Sequence, residues 1–212
     1  MIRIENVEIV GWEAALRGMR NPMNSWAKGD TNWQKYHSSG DIGRCIGEND
    51  LKLMKSLAKA GTDHRKFMRM ITVYADVTSS LYFFKEFDTY KVGTVANSCS
   101  TMHTIHQKPF TLDDFSCEHL MSGSKLQLRM TIDVLNDARK EFINTKDKAF
   151  WWQMIQLLPS SYNQKRTVML NYEVLANMYK SRKNHKLDEW RVFCDWIKSL
   201  PYSELITGEE NE

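Results

Sequence analysis

The chain has 212 residues, enough for one domain of ordinary size, and 42% of them are hydrophobic, which supplies the material of a packed core. A net charge of +3, with basic and acidic residues intermixed, argues against duplex nucleic acid as the main partner. No apolar run approaches the roughly 18 residues of a membrane span, the first residues lack the pattern of a secretory signal, and the cysteines are irregularly spaced. We therefore expect a cytoplasmic protein with reduced thiols and no membrane partner.

The first half of the chain predicts two strands, each followed by helical sequence. Strands are indicated by apolar residues at every second position or by β-branched and aromatic runs, and helices by apolar residues every three to four positions. Asn49 is placed to cap one helix and Gly61 to end it. The predicted elements are a strand over 2–10, a helix over 13–20, an irregular connection over 24–47, a helix over 49–60, a strand over 67–77 and a helix over 79–90.

The second half of the chain predicts helices. One helical pattern extends over 125–158, with Asn144 and Thr145 as a place where it can break, and Leu158-Pro159 ends it. Two further helices are predicted over 164–181 and 187–199. Because no repeat or linker divides the chain, we expect a single domain over 1–207 and a disordered acidic tail over 208–212.

Common nucleotide-binding and metal-binding motifs are not found in the sequence. It contains neither the glycine-rich turn of a Rossmann fold nor a P-loop. Cys99, His103, His106, Cys117 and His119 are of the types that ligate zinc, but their spacing matches no standard zinc module, so we expect no metal site. Cys99 and His103 lie four residues apart, which by itself does not establish a nucleophile and its base.

Small and hydroxylated residues fill the stretch 87–103, where backbone N–H groups and hydroxyls can approach an anion. This stretch resembles the signature of the flavin-dependent thymidylate synthases, R-H-R-x(7,8)-S-x-R. Thr89 to Lys91 stand in the place of R-H-R, and Ser100 to Met102 stand in the place of S-x-R. The lysine's charge and the serine match the family's signature.

Two other stretches resemble the same family. Residues 60–73 are similar to its G-H-x-(S/T)-P-x-E-H segment, with His64 on the first histidine. Leu158-Pro159, Asn171-x5-Asn177-x4-Arg182 and Glu189-x-Arg191 are similar to its L-P, N-x-R-x-L-x-N-F-x-x-(L)-R and E-I-R patterns. On a continuous helix Asn171 and Arg182 would lie about 20° apart around the axis and share a face. The resemblance covers about residues 60–200 and implies an α/β (α+β) fold, a mixed sheet packed with long helices.

The resemblance also implies an activity and a set of ligands. Members of this family are homotetramers with FAD at subunit interfaces, and they transfer a one-carbon unit from methylenetetrahydrofolate to C5 of dUMP, with NADPH as reductant. By resemblance, the residues expected to bind the cofactor are His64, Tyr90, Lys91, Asn97, Asn171 and Asn177. Those expected to bind a pyrimidine deoxynucleotide are Glu86, Ser100 and Arg182. Arg182 is also the expected catalytic residue, because a fixed guanidinium stabilises charge that develops on a carbonyl oxygen.

The chain departs from the family pattern at three positions that would contact the nucleotide. Met102 and Ile155 stand in place of arginines, and Glu86 stands in place of a glutamine. A carboxylate can accept a hydrogen bond from an exocyclic amine, so the substrate can be either dUMP or dCMP. The group transferred can be either methyl or hydroxymethyl. The cations available to replace the arginines are Lys85, Lys91, Lys165 and Arg166. A non-catalytic homologue that keeps the fold and binds a nucleotide or a partner protein is the alternative.

Overall fold

The computed structural model describes residues 1–209, and it combines a four-stranded antiparallel sheet, of strand order β1-β2-β4-β3, with α-helices. The strands are β1 (Arg3–Val10), β2 (Thr72–Ser80), β3 (Val95–Ser98) and β4 (Asn163–Asn171). The helices are α1 (Trp12–Arg20), α2 (Trp33–Ser39), α3 (Glu48–Lys59), α4 (Leu81–Phe87), α5 (Thr101–Thr104), α6 (Ser122–Thr145), α7 (Lys148–Leu157), α8 (Tyr172–Arg182), α9 (Asp188–Lys198) and α10 (Glu204–Thr207). Short 3-10 helices lie at Asn21–Met23, Trp26–Lys28, Arg65–Arg69 and Leu112–Asp114. The predicted α+β class is confirmed.

The chain forms two compact units. Unit 1 comprises Met1–Arg3, Asp76–Thr89 and Ala96–Thr167, and unit 2 comprises Ile4–Ala75, Tyr90–Val95 and the residues from Val168 onward. Within residues 1–209, no helix combines the length and the apolar composition needed to cross a membrane.

The core of unit 1 lies where α6 and α7 pack on the loop that precedes them. Leu128, Ile132 and Leu135 recur on one face of α6 at helical spacing and pack in one cluster with Met154 of α7. The predicted break in the long helix is confirmed. Lys146 adopts a left-handed conformation that ends α6, and the Asp147 carboxylate then accepts the Ala149 N–H at 2.8 Å and caps α7.

In unit 2 the helix α8 is buried over almost its whole length. Tyr172, Leu175 and Met178 are fully enclosed, and the rings of Tyr172 and Trp12 meet edge to face with their centroids 5.2 Å apart. On α9, Trp190, Phe193 and Ile197 follow one another at helical spacing and are likewise enclosed. Burial of these large side chains contributes to the apolar stabilisation of this unit.

The connection predicted as irregular over 24–47 contains both a 3-10 helix and α2, and it is tied to α3 by carboxylates. The Asp30 carboxylate accepts the N–H groups of Asn49 and Asp50 at 2.9 and 3.0 Å, at the first turn of α3. Burial opposes ionisation, but these hydrogen bonds hold the pKa of Asp30 below its usual value. The predicted capping by Asn49 is wrong: Gly47 is the N-cap, and a Cβ there would lie 2.2 Å from Asp30 Cγ.

Two predicted elements are wrong in part. Residues 164–171 were expected to be helical but form β4, which pairs with both β2 and β3. The strand expected over 67–77 starts only at Thr72, because Arg65–Arg69 forms a 3-10 helix. Residues 164–171 carry apolar residues that suit either conformation, and pairing with strands distant in sequence decides between them.

Part of the predicted tail falls within the described residues. The Glu209 carboxylate accepts hydrogen bonds from the Tyr179 hydroxyl at 3.0 Å and from Lys183 Nζ at 3.2 Å. Burial and the carboxylate raise the pKa of Tyr179 to about 12, which keeps its hydroxyl a donor at neutral pH. The predicted disorder of 210–212 lies outside the described residues.

Candidate functional site

The residues predicted to bind cofactor and substrate fall into both units. Unit 2 contains His64, Tyr90, Lys91, Asn171, Asn177 and Arg182. Unit 1 contains Glu86, Asn97 and Ser100. Most of the predicted cofactor-binding set therefore shares a unit with the predicted catalytic arginine, and two of the three predicted nucleotide contacts lie in the other unit.

Asn171 is not a helical residue, contrary to the prediction. It is the last residue of β4 and the N-cap of α8, where its Oδ1 accepts the Val174 N–H at 3.0 Å. Gly93, at φ +79°, approaches it so closely that a Cβ there would lie 3.0 Å from Asn171 Nδ2. Since α8 rises 1.5 Å per residue, Asn171 and Arg182 lie about 16 Å apart along its axis, so a shared helix face does not bring them together.

Arg182, the last residue of α8, is half-buried and held by aromatic side chains. Its Nε donates to the Tyr90 hydroxyl at 2.9 Å, and its guanidinium carbon lies 4.9 Å from the centre of the Trp190 ring and 5.6 Å from that of Tyr90. A planar guanidinium stacks well on aromatic faces, and the hydrogen bond fixes its rotation. The described contacts show that Tyr90 and Trp190 hold this cation in place. Trp190 was not among the residues predicted from the sequence.

A second cluster in unit 2 joins two arginines to a buried glutamate. Arg65 Nε donates to Glu173 Oε1 at 3.1 Å, and Arg69 donates to both carboxylate oxygens. Glu173 is 7% exposed. Burial alone would raise its pKa, but the hydrogen bonds from Arg69 and Arg65 outweigh this effect and lower the pKa below its usual value. Glu173 is therefore a carboxylate at neutral pH.

At two positions of this cluster the charge has the opposite sign to that in the family pattern to which the sequence is similar. That pattern has an acid five residues after its first histidine and an arginine two residues after its first asparagine, at the positions of Arg69 and Glu173. Both charges are inverted, and the two side chains still pair. Sequence reasoning missed the cluster, although two opposite departures in separate motifs were a signal that the two positions are in contact.

Asn177 lies on the exposed side of α8 and is oriented by this cluster. Its Oδ1 accepts a hydrogen bond from Arg65 Nη2 at 3.1 Å. Because a guanidinium carries only donors, the amide must turn its oxygen toward Arg65 and its NH₂ group away. Asn177 therefore presents two N–H donors to whatever approaches this side of α8.

In unit 1 the predicted site residues lie on β3, α4 and the start of α5. Ser100 is the N-cap of α5, and its Oγ accepts the His103 N–H at 3.2 Å. Asn97 is exposed on β3, and Glu86 is half-buried on α4. In unit 2, His64 and Lys91 are exposed side chains.

Two of the four candidate replacement cations are engaged within unit 1. Arg166 Nη1 donates to Asp88 at 2.7 Å while its guanidinium lies 4.0 Å from the centre of the Phe84 ring, and Lys165 pairs with Asp76 at 2.9 Å. Lys85 and Lys91 are exposed.

The positions of the replaced arginines have different surroundings. Met102 is 51% exposed, and its carbonyl accepts from the Trp151 indole at 3.1 Å. Ile155 packs against the apolar cluster of unit 1. Over residues 1–209, no three His, Cys, Asp or Glu side chains are grouped so as to hold a metal ion.

Comparison of the sequence with protein-family models and with curated proteins gives no match. Solved structures do match. A structure of thymidylate synthase X (ThyX) from Helicobacter pylori with FAD and dUMP is 14% identical, with a TM-score of 0.68 and 98% of each chain covered. A second structure of this H. pylori enzyme with FAD and dUMP is 16% identical, with a TM-score of 0.64, covering 96% of this chain and 99% of that one.

The UMP/dUMP methylase PolB from Streptomyces cacaoi, bound with 5-Br dUMP, has the same fold. It is 12% identical, with a TM-score of 0.58, and the match covers 98% of this chain and 95% of that one. The chain therefore has the fold of the flavin-dependent thymidylate synthases, which confirms the resemblance noted in its motifs.

Proposed function

We propose that this chain is a flavin-dependent enzyme that methylates or hydroxymethylates C5 of a pyrimidine deoxynucleotide, dUMP or dCMP, with a one-carbon unit carried by methylenetetrahydrofolate. The observation that carries the proposal is Arg182, fixed by the Tyr90 hydroxyl and stacked on Trp190, at the end of α8 in a fold of this type. Support for the ligands comes from the matched structures, which contain FAD and dUMP or a brominated dUMP.

The role of Arg182 follows from the chemistry of the base. Addition of hydride to the ring shifts negative charge onto a carbonyl oxygen, and C5 of the resulting enolate can then attack a carbon electrophile. A guanidinium that is already in place stabilises this charge without reorganising at the moment of reaction. Because Tyr90 and Trp190 hold Arg182, it needs little further ordering to act on a bound nucleotide.

The residues of unit 2 fit a flavin. The isoalloxazine edge offers two carbonyl oxygens, and Asn177 presents N–H donors because Arg65 occupies its oxygen. FAD, when bound, would supply the electrons that reduce the transferred carbon to a methyl group, and NADPH would restore them. We propose cofactor contacts by His64, Tyr90, Lys91, Asn97, Asn171 and Asn177, and nucleotide contacts by Glu86, Ser100 and Arg182.

We also propose a homotetramer in which chains share the flavin sites. The exposed face of α6 supports an assembly, because Leu126, Met130 and Val134 recur every fourth residue and are 60%, 54% and 53% exposed. Apolar side chains in such a stripe mark a surface that contacts protein. Light scattering coupled to size exclusion should give four chains, and the Met130→Glu variant should give fewer.

Reconstitution with FAD followed by turnover assays tests the proposed activity. We expect the visible absorption band of a bound oxidised flavin, and then conversion of dUMP or dCMP in the presence of methylenetetrahydrofolate and NADPH. Mass spectrometry of the nucleotide distinguishes a methyl from a hydroxymethyl product. A chain that binds no flavin and converts neither nucleotide would disprove the proposal.

A non-catalytic homologue is the second candidate. The observation that favours it is the replacement of two arginines of the family pattern by Met102 and Ile155, the latter packed among apolar side chains. This candidate predicts a colourless protein that still binds a nucleotide or a partner protein. The flavin band therefore separates the two candidates before any assay of turnover.

A further inference from the structure

Unit 2 contains a cavity of about 290 Å³ whose charged lining side chains are mainly basic. It lies among α3, α8, α10 and the two residues that follow α10. The charged side chains that line it are Lys55, Lys59, Arg65, Lys180, Lys183, Glu204 and Glu209. Five cations thus face two carboxylates, and so the cavity has a positive potential.

The lysines come in pairs from two helices. Lys55 and Lys59 are four residues apart on α3, and Lys180 on α8 is three residues from Lys183 just beyond it, so each pair shares a face. Like charges at these spacings repel one another and weaken the helix that carries them. Helix stability therefore does not account for two such pairs that line one cavity, whereas an anion bound between them would relieve the repulsion.

Three of the five cations are engaged by carboxylates and two are not. Lys55 Nζ lies 3.6 Å from Glu204, Lys183 Nζ lies 3.2 Å from Glu209, and Arg65 pairs with Glu173. Lys59 and Lys180 are exposed and form no ion pair within residues 1–209. Their two ammonium groups are thus available to an anion that enters the cavity.

The cavity adjoins a residue of the proposed flavin site. Arg65 lines the cavity and donates to Asn177, which lines it as well. Because Glu173 holds Arg65 from the buried side, this guanidinium is a fixed wall of the cavity rather than a flexible surface chain. Ala58, Leu205 and Ile206 add apolar surface, which suits the carbon skeleton of a ligand.

We propose that this cavity, the α3–α8 basic cavity, binds the anionic tail of a small molecule, with Lys59 and Lys180 contacting its carboxylate or phosphate groups. The identity of the ligand rests on the proposed function. Two ligands of that function carry such tails: FAD has a pyrophosphate, and a polyglutamylated folate has a row of carboxylates. Both offer the closely spaced negative charges that two uncompensated ammonium groups attract.

The test compares two double variants of the full chain that remove the same charge. Lys59→Gln/Lys180→Gln changes the cavity, and Lys52→Gln/Lys186→Gln changes exposed lysines of unit 2 that do not line it. Calorimetric titration at low salt uses inorganic pyrophosphate and a triglutamate peptide as probes. We expect the cavity variant to bind at least one probe about tenfold more weakly, as for two lost charge-assisted contacts, and the control variant to bind as the wild type does.

Further titrations identify the source of the anion and separate this inference from the proposed function. If the cavity holds the flavin's pyrophosphate, the cavity variant loses affinity for FAD but not for riboflavin. If it holds glutamyl carboxylates, the variant loses affinity for triglutamyl tetrahydrofolate and keeps FAD. A chain that binds no FAD but whose probe affinity still distinguishes the two variants would disprove the proposed function alone. If neither probe binds, or if both variants bind the probes equally weakly, the proposed anion site in the cavity is disproved.

Discussion

Two clusters of unit 2, around Asp50 and around Glu173, join arginine to a buried carboxylate, and they differ in what they enclose. Around Asp50 both partners are buried: Arg20 is 6% exposed and Asp50 is 3% exposed. Around Glu173 only the carboxylate is buried, because the side chains of Arg65 and Arg69 are 21% and 47% exposed. The same pair of functional groups thus lies once inside the unit and once at its surface.

The two clusters also differ in the partners of their other hydrogen bonds. Arg20 also donates to the carbonyls of Ser25 and Lys28, and Asp50 Oδ2 accepts the backbone N–H groups of Asp30 and Thr31. All of these bonds fix the connection between α1 and α3. Arg65 Nη2 instead donates a hydrogen bond to Oδ1 of the exposed Asn177 side chain. One cluster therefore stabilises backbone, and the other orients side chains that face solvent.

Breaking the enclosed cluster should have the largest effect on stability. Asp50→Ala leaves the Arg20 guanidinium buried without its carboxylate, and we expect the free energy of unfolding to fall by about 3 to 5 kcal/mol. Urea unfolding measures it, with the exposed Asp113→Ala as control. A loss below about 1 kcal/mol, typical of a surface pair, would contradict the structural role given to Asp50.

Arg182 extends the comparison to an arginine supported by aromatic rings. Arg182→Ala should remove transition-state stabilisation of about 3 to 4 kcal/mol, a loss in turnover of roughly 100-fold to 1000-fold, with the chain still folded. Steady-state rates with the flavin-loaded protein give the effect, and Lys186→Ala, exposed and nearby in sequence, is the control. Unchanged turnover would remove Arg182 from the proposed chemistry, whichever base is bound.

An arginine added to unit 1 tests whether the phosphate of the nucleotide lacks a cationic partner in the wild type. Met102→Arg should tighten binding of dUMP by about 1.5 to 3 kcal/mol, through a charge-assisted contact with the phosphate. Titration of the flavin spectrum with dUMP and with dCMP measures it. Met121→Arg adds the same charge at another exposed methionine of unit 1 and should change neither affinity. Weaker or unaltered binding of dUMP would indicate that other cations hold the phosphate.

The orientation of Asn177 distinguishes the surface cluster from the enclosed one. Asn177→Ala should weaken FAD binding by about 1 to 3 kcal/mol, since it removes the proposed N–H donors. Asn177→Asp keeps an oxygen for Arg65 but has no donor, so it should weaken FAD binding as well. Equilibrium titration monitors both, with the exposed Asn184→Ala as control. If the aspartate variant binds FAD as well as the wild type does, the amide does not donate to the flavin.

Acid should weaken the Glu173 cluster, and we expect this effect to be the smallest. Because its pKa is lowered in the folded chain, Glu173 stabilises the fold at pH values above the unfolded pKa of about 4.3, and this contribution is lost as the pH falls through the folded pKa. Glu173→Gln should therefore be less stable than the wild type at pH 7, and the difference should shrink on acidification. Urea unfolding at several pH values tests it. A difference independent of pH would contradict ionisation of Glu173 as its cause.

Periodicity and local capping determine much of this fold in the sequence itself. The helices α3, α6 and α9 and the interruption after Thr145 were all predicted, because each depends on residues within a few positions of one another. The motifs near His64, Lys91 and Asn171 were sufficient to predict the fold, although the identity to these matched structures is only 12% to 16%.

Contacts between distant residues were decided by the tertiary structure alone. Residues 163–171 become β4 because two strands pair with them, although their local pattern also allows a helix. Arg65 and Arg69 meet Glu173 across more than a hundred residues, and Lys59 lines one cavity with Lys180. The local pattern around each residue does not determine such pairings, because they depend on how whole elements pack. The proposed donor side of Asn177 is settled in the same way, by a guanidinium from another part of the chain.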